Sequence, residues 1–284
     1  MSTKVLVTGA KGQLGQTIQQ LFGRKKGDIV FTYVSKNELN ITNEIQIASF
    51  FKKYKFDYCI NCAAYTNVEQ AEKTPEIAFI VNAEGVKNLA KACLEANCVL
   101  IHISTDYVFD GKKNEPYSIH DVPNPINEYG ASKLLGEQYI QKICQKYFII
   151  RTSWLYSNYG HNFFKTIIKK IKEGEELKIT TTQIGTPTSC TEFSKFIFFL
   201  IKTNQSNFGI YHSSALGEAT WYDFAKEIAK HYNHTLIKSI AGNQENELKI
   251  KRPKYSVLSN HKTQLLIGII RDWKNALNEA LYAV

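Results

Sequence analysis

The segment Val5-Leu6-Val7-Thr8-Gly9-Ala10-Lys11-Gly12-Gln13-Leu14-Gly15 constrains the fold more than any other stretch of this chain. A β-branched apolar run stops at a glycine, two more glycines follow at intervals of three, and a helical pattern continues to Phe22. A strand, a tight turn and a helix satisfy that pattern. Gly9 permits the turn, Gly12 lets the backbone approach a ligand, and Gly15 lets the helix close onto the sheet. The G-x-x-G-x-x-G spacing is a variant of the dinucleotide fingerprint, and the helix start offers N–H groups and a partial positive charge to a diphosphate.

The pattern after this unit repeats its logic. Strands are expected at Lys4–Thr8, Ile29–Val34, Asp57–Asn61, Val99–Ser104 and Tyr147–Thr152. Helices are expected at Gly12–Phe22, from Asn43 to about Tyr54, from Pro75 to about Ala96, and at Tyr129–Gln145. Asn43 reads as a helix cap, with Gln46 completing a capping box. Strands separated by helices predict an α/β fold, a doubly wound parallel sheet of Rossmann type covered on both faces. The loop from Phe109 to Glu128 carries three prolines and is long enough to suggest a functional role. Beyond Trp154 the pattern loosens into helices near Phe163–Glu173, Thr191–Lys202, Trp221–Tyr232 and Trp273–Tyr282, with strands near Leu177–Thr180 and Ile210–His212. Residues 1–155 are therefore read as the dinucleotide-binding domain. Residues 156–284 are read as mainly a smaller substrate-binding lobe, some of whose segments return to the first domain.

Composition excludes several classes. No apolar run approaches the ~20 residues of a membrane span, and Lys4–Thr8 is too short for a signal-peptide core, so a cytoplasmic enzyme is expected. The net charge is +9, but the lysines are spread along the chain and form no nucleic-acid-binding module. Such a surface suits small polyanions, dinucleotides and nucleotide diphosphates among them. Of six cysteines, Cys59 and Cys62 make a C-x-x-C. It has no second ligand pair for zinc and sits in an apolar run, which reads as buried reduced thiols.

Tyr129-Gly130-Ala131-Ser132-Lys133 is a Y-x-x-x-K, which on a helix puts Tyr129 and Lys133 on one face. An ammonium beside a phenol favours the phenolate and lowers a pKa that starts near ~10, so the phenol can exchange a proton with a carbonyl oxygen. Tyr222 and Lys226 have the same spacing but lie on an amphipathic helix of the second half and read as structural. Tyr129 differs by following the strand that ends in Ser104-Thr105-Asp106-Tyr107, where parallel sheets place ligand-facing groups. Thr105 adds a hydroxyl there. The second strand ends Tyr33-Val34-Ser35-Lys36-Asn37 with no strand-end carboxylate, and Glu38 comes late. Lys36 instead suggests contact with a 2′-phosphate, hence NADPH, with NADH also usable.

Taken together, these motifs with Asn61-Cys62-Ala63-Ala64-Tyr65-Thr66, Arg151-Thr152-Ser153-Trp154, Asn162-Phe163, Gln183-Ile184-Gly185-Thr186-Pro187-Thr188 and Arg252-Pro253 follow one family's order. The chain resembles the dTDP-4-dehydrorhamnose reductases, which are extended short-chain dehydrogenases, over about Lys4 to Leu281. The resemblance implies Gly12, Gln13 and Leu14 at the cofactor diphosphate and Asn40 and Ile41 at the adenine. It implies Ala63, Ala64, Tyr65 and Thr66 along the path to the nicotinamide. Tyr129 would be the proton donor, and Lys133 would bind ribose and tune Tyr129. Thr105, Asp106 and Trp154 would face the sugar. Arg252, flanked by Lys249, Lys251 and Pro253, is suited to a diphosphate. The implied reaction reduces the C4 keto group of dTDP-4-dehydro-L-rhamnose, in nucleotide-sugar and polysaccharide biosynthesis. Some members of the family hold magnesium at a dimer interface. No ligand set for it is placed here, and a homodimer is compatible with the sequence.

Two other readings stay open at this point. One is a reductase of another nucleotide-linked 4-keto-6-deoxy sugar, on dTDP or UDP. The other is a regulatory subunit resembling the methionine adenosyltransferase β subunit. Retention of Thr105, Tyr129, Lys133 and Trp154, with no added segment before the first strand, favours an enzyme.

Overall fold

A computed structural model describes residues 2–240 and 250–283. The first half runs β1 (Thr3–Thr8), α1 (Gln13–Phe22), β2 (Lys25–Lys26), β3 (Ile29–Tyr33), α2 (Glu44–Lys53), β4 (Tyr58–Asn61), α3 (Val68–Lys73) and α4 (Pro75–Phe79). A π-helical turn at Ile80–Glu84 leads into α5 (Gly85–Glu95), β5 (Val99–Thr105), α6 (Glu128–Ile143) and β6 (Tyr147–Thr152). The second half holds β7 (Leu155–Tyr156), α7 (Phe163–Lys172), β8 (Leu177–Thr180), β9 (Ile184–Gly185), β10 (Thr188–Ser189) and α8 (Cys190–Lys202). It ends with β11 (Gly209–His212), β12 (Ala219–Thr220), α9 (Trp221–His231), β13 (Ile237–Ile240), α10 (His261–Ile267) and α11 (Trp273–Tyr282).

The main sheet has the order β11-β6-β5-β4-β1-β3-β2, parallel except where the short β2 runs against β3. Alternation along β1 explains how it is covered. Val5 and Val7 point into one core with Ile18 of α1 and Phe193 and Ile197 of α8. Leu6 points to the other face, among Ile47, Leu89 and Ile140 of α2, α5 and α6. Both α8 and β11 come from the second half, so residues 190–212 belong to this layer system. A third core of Tyr156, Phe164, Phe224, Ile228, Trp273 and Leu277 holds the remaining lobe together.

The direction of the chain reverses in the sheet order between β1 and β4, which is where such sheets bind ligands at their carboxyl ends. The ends of these strands touch there: Thr8 Oγ1 donates to Asn61 Oδ1 at 2.7 Å.

Local structure departs from expectation in three places. Asn43 caps α2 by accepting from the Gln46 N–H, but the Gln46 side chain reaches past it to accept from the Asn40 N–H at 2.8 Å, so no capping box closes. The expected single helix from Pro75 is interrupted by the π turn. The short strands β7, β9, β10 and β12 exist only through their pairing with distant residues.

Candidate active site

The glycine turn is built as its spacing requires. Gly9 has φ +65° and lies so close to the next loop that a Cβ would meet the Ala63 N–H nitrogen at 2.6 Å. A Cβ on Gly15 would strike Ala10 Cα at 2.7 Å, whereas one on Gly12 would meet only the Gly9 carbonyl, at 3.2 Å. No side chain caps α1, and its first turn holds no acidic residue. An open glycine and an uncapped helix start next to the 63–66 loop fit a dinucleotide diphosphate. Gln13 also donates to the Leu155 carbonyl of β7 at 3.2 Å.

Beyond the turn a cavity of about 410 Å³ is lined by Ala10, Lys11, Arg24, Tyr33, Ser35 and Glu38, among others. Here the structure corrects two expectations. Glu38 folds back to the strand end, where its carboxylate accepts from both the N–H and the hydroxyl of Ser35 at 2.7 Å; a carboxylate does stand at this position. Those hydrogen bonds hold its pKa below the usual carboxylate value. Lys36 is exposed and does not line the cavity, and its basic residues are Lys11 and Arg24. Asn40 spends its side-chain oxygen on the Thr42 N–H and hydroxyl, and Ile41 packs in the core beneath Gly85.

In the 63–66 loop, Ala64 and Thr66 are exposed and Ala63 and Tyr65 partly so. Buried Asn82, in the π turn, clamps Tyr65 by accepting from its N–H at 2.8 Å and donating to its carbonyl at 2.9 Å. The same amide donates to the Ser132 hydroxyl at 3.0 Å, between Tyr129 and Lys133. A polar residue inside an otherwise apolar helical stretch was the available signal for Asn82, and π turns often occur at functional sites.

Tyr129 and Lys133 sit in the first turns of α6, which Asn127 caps by accepting from the Gly130 N–H at 2.8 Å. Gly130 is required here, because a Cβ would lie 2.2 Å from the Tyr107 carbonyl oxygen. That contact presses Tyr129 edge-on against Tyr107, with ring centroids 5.6 Å apart. Burial pushes the Tyr129 phenol well above its ordinary pKa, a hydrogen bond with Thr105 pulls it down, and Asp106 and Tyr107 raise it further. Lys133 lies one helical turn further along α6. Its Nζ donates to the Ile103 carbonyl at 2.6 Å and lies 3.3 Å from His102 Nε2, and burial lowers its pKa to about 8. In this arrangement the phenol leans on Thr105 and Tyr107, and the ammonium on Ile103 and His102.

Asp106 is buried. It accepts from Ser256 at 2.6 Å, from Thr105 at 3.1 Å and from Ser153 at 3.2 Å, and burial raises its pKa to about 6. It therefore pins the second-lobe segment at Ser256 to the end of β5. Trp154 has φ +45° and follows the end of β6. One indole face is taken by Trp221, stacked at 3.6 Å and 5°, and a Cβ on Gly185 would come within 2.5 Å of the ring. That face is closed to a sugar ring. Arg252 is partly exposed. Its Nη2 pairs with Glu69 Oε1 at 3.3 Å, and its charge is felt by the Tyr107 phenol, which places it beside the Tyr107–Tyr129 pair. Lys249 lies outside the described residues. Tyr222 and Lys226 make only a cation–π contact at 5.8 Å on α9. All six cysteines are free thiols.

No helix among the described residues is long and apolar enough to cross a membrane. The family model described as the RmlD substrate binding domain matches residues 3–284. The spore coat polysaccharide biosynthesis protein SpsK of Bacillus subtilis is 38% identical, over 98% of this chain and 97% of its own. A dTDP-4-dehydrorhamnose reductase of Aggregatibacter actinomycetemcomitans is 36% identical, over 96% of this chain and 97% of its own. The crystal structure of the Bacillus anthracis dTDP-4-dehydrorhamnose reductase in complex with NADP superposes with a TM-score of 0.94 at 38% identity, covering 100% of both chains. By full-length sequence and by fold, this chain belongs to the dTDP-4-dehydrorhamnose reductase family.

Proposed function

We propose that this protein reduces the C4 keto group of dTDP-4-dehydro-L-rhamnose with NADPH or NADH, giving dTDP-L-rhamnose. The observation that carries the reading is the Tyr129 phenol, set edge-on to Tyr107 just past the carboxyl end of β5 and hydrogen-bonded to Thr105. A reduction needs an acid at the carbonyl oxygen, and a phenol is one.

The nicotinamide, when bound, supplies the hydride. The uncapped start of α1, with Gly12, Gln13 and Leu14, would hold its diphosphate. Ala63, Ala64, Tyr65 and Thr66, steadied by Asn82, would line the path to the reacting ring. Tyr129 passes its proton to the oxygen at C4 as that carbon gains the hydride, and the C–O double bond becomes an alcohol. Thr105 orients the phenol. Arg252, whose charge reaches the Tyr107 phenol, would meet the sugar nucleotide's diphosphate. Trp154, one face of which is covered by Trp221, would border the sugar.

Incubation of the protein with NADPH and dTDP-4-dehydro-L-rhamnose, with NMR identification of the product sugar, tests this. A different 6-deoxyhexose would redirect the substrate assignment. Absence of turnover with every 4-keto-6-deoxy sugar nucleotide tried would favour a regulatory binding protein.

A further inference from the structure

The Asp106 carboxylate joins three segments that lie far apart in the chain, and Ser256, on the last of them, has no part in the proposed chemistry. Asp106 is 3% exposed. Its Oδ1 accepts from the Thr105 hydroxyl at 3.1 Å. Its Oδ2 accepts from Ser153, just past β6, at 3.2 Å and from Ser256 at 2.6 Å. The bond from Ser256 is the shortest of the three. The torsion that turns a carboxylate about its bond to Cβ is broad. A short charge-assisted bond at one oxygen therefore also sets the aim of the other. The other oxygen here is the one that holds Thr105.

Thr105 passes that aim on. Its hydroxyl is fixed between Asp106, the Tyr107 N–H, which donates to it at 3.1 Å, and the Tyr129 phenol. A hydroxyl held by the first two presents itself to the third in one way only.

The Ser256 hydroxyl is not what docks its own segment. The Ser256 N–H donates to the Ile184 carbonyl at 2.8 Å, and the Ile184 N–H donates to the Lys254 carbonyl at 2.8 Å. The Tyr117 N–H donates to the Val257 carbonyl at 2.8 Å, and the Ser259 N–H to the Tyr117 carbonyl at 2.7 Å. Tyr255, Val257 and Leu258 are buried in one core with Phe109 and Tyr117. Backbone bonds and apolar packing thus hold the segment, and the hydroxyl, on a residue 2% exposed, is left for Asp106. We propose that Ser256 is a positioning residue for the reduction: its hydroxyl holds the Asp106 carboxylate, which through Thr105 sets the Tyr129 phenol for the C4 oxygen. The inference rests on Tyr129 being the proton donor. Arg252, proposed above for the diphosphate, belongs to the same short stretch of backbone. A sugar nucleotide seated there steadies the stretch that braces the proton donor, so binding at the nucleotide end serves orientation at the reacting end.

The full chain, with ¹³C in its tyrosine rings and without added nucleotide, is compared by NMR with Ser256→Ala. Tyr129→Phe identifies the signal. The Tyr107 ring, edge-on at 5.6 Å, makes that signal sensitive to small rotations of the phenol. In Ser256→Ala the Tyr129 resonance is expected to move, and kcat to fall by ~10- to 100-fold, the scale of a misplaced reacting group. The Kd for NADPH should stay within about threefold of the wild type, because no cofactor contact is touched. Ser256→Thr keeps the hydroxyl and should keep both the resonance and kcat. Tyr255→Phe alters the neighbouring side chain, whose hydroxyl meets Glu218, and should also leave both in place. Ser256→Cys, a weak donor, serves in place of Ser256→Ala if that protein does not fold. A folded Ser256→Ala with the Tyr129 resonance or kcat of the wild type overturns the proposal. So does a Ser256→Thr that behaves like Ser256→Ala, or a Tyr255→Phe that moves the resonance as far, since the effect then belongs to the fold of the segment. A protein that shows the expected resonances but reduces no sugar refutes the proposed function and leaves the link from Ser256 to Tyr129 standing.

Discussion

Replacing Glu137 by Leu, Arg151 by Met, and both together tests how the floor of the site is held. Glu137 and Arg151 are almost wholly excluded from solvent, at 0% and 2% side-chain exposure. The carboxylate accepts from Arg151 Nη2 at 2.6 Å, from Nε at 3.0 Å, and from the Ser104 hydroxyl. Arg151 Nη1 has no hydrogen-bond partner among the described residues, and the guanidinium lies 5.2 Å from the Phe109 ring centroid. Either single replacement strands one charge in a site that water cannot reach, and each should cost about 3–5 kcal/mol. The double replacement removes both desolvation penalties at once. It leaves only the Ser104 hydroxyl short of a partner, worth about 1–3 kcal/mol, so it should be less destabilising than either single change. Urea unfolding followed by far-UV circular dichroism gives the midpoints, and an unchanged m-value licenses the comparison. Additive single effects would refute the reasoning, because they would mean that neither charge depends on the other for its burial.

Tyr129→Phe should leave the protein folded and NADPH bound while lowering kcat by ~10²–10⁴ in stopped-flow or steady-state assays. Lys36→Ala should leave the ratio of kcat/KM for NADPH to that for NADH within about threefold. Lys11→Ala should move it toward NADH by roughly 10-fold, the scale of one charge-assisted contact. Arg252→Ala should raise KM for the sugar nucleotide and leave the Kd for NADPH, read by fluorescence titration, within about threefold, consistent with loss of a diphosphate contact. Asp106 supplies a pH dependence of stability. Its pKa is about 6 in the folded chain and near ~3.9 unfolded, so the folded state binds the proton more tightly. Its contribution is fully present below the unfolded value and is lost as pH rises through about 6, a swing of about 3 kcal/mol. Asp106→Asn should flatten that part of the profile in urea midpoints taken between pH 4 and pH 8 (about the span of the two values).

What could be read in the sequence was what is local. Gly9, Gly12 and Gly15 announce a strand, turn and helix because each glycine answers a backbone constraint within a few residues. Tyr129 and Lys133 are legible as a pair because a helix alone sets their spacing. The Asn43 cap was legible on the same ground, but the Gln46 side chain had a nearer use at Asn40. What was not legible depended on distant partners. Trp154 looked like an open face, and only the fold brings Trp221 onto it. Lys36 was read as the contact for a 2′-phosphate, yet Glu38 folds back to the strand end and Lys11 and Arg24 line the cavity. The phenol of Tyr129 was expected to follow its lysine. What the helix spacing does not show is the Tyr107 ring and the Thr105 hydroxyl against that phenol, which only the assembled layers bring there.

The pinning of Ser256 to Asp106, with the bridge between Tyr117 and Leu258, also sets when a working site can first exist on a growing chain. All the strands that carry Thr8, Asn61 and Thr105 are made by residue 152, but the sheet gains β11 only later, and the hydroxyl that satisfies the buried Asp106 is made later still. A nascent chain at that stage holds a nucleotide-binding half whose reaction end is open to water. Catalytic competence thus arrives close to the end of synthesis, and a fragment ending before Ser256 would have the proton donor without the wall that shelters it.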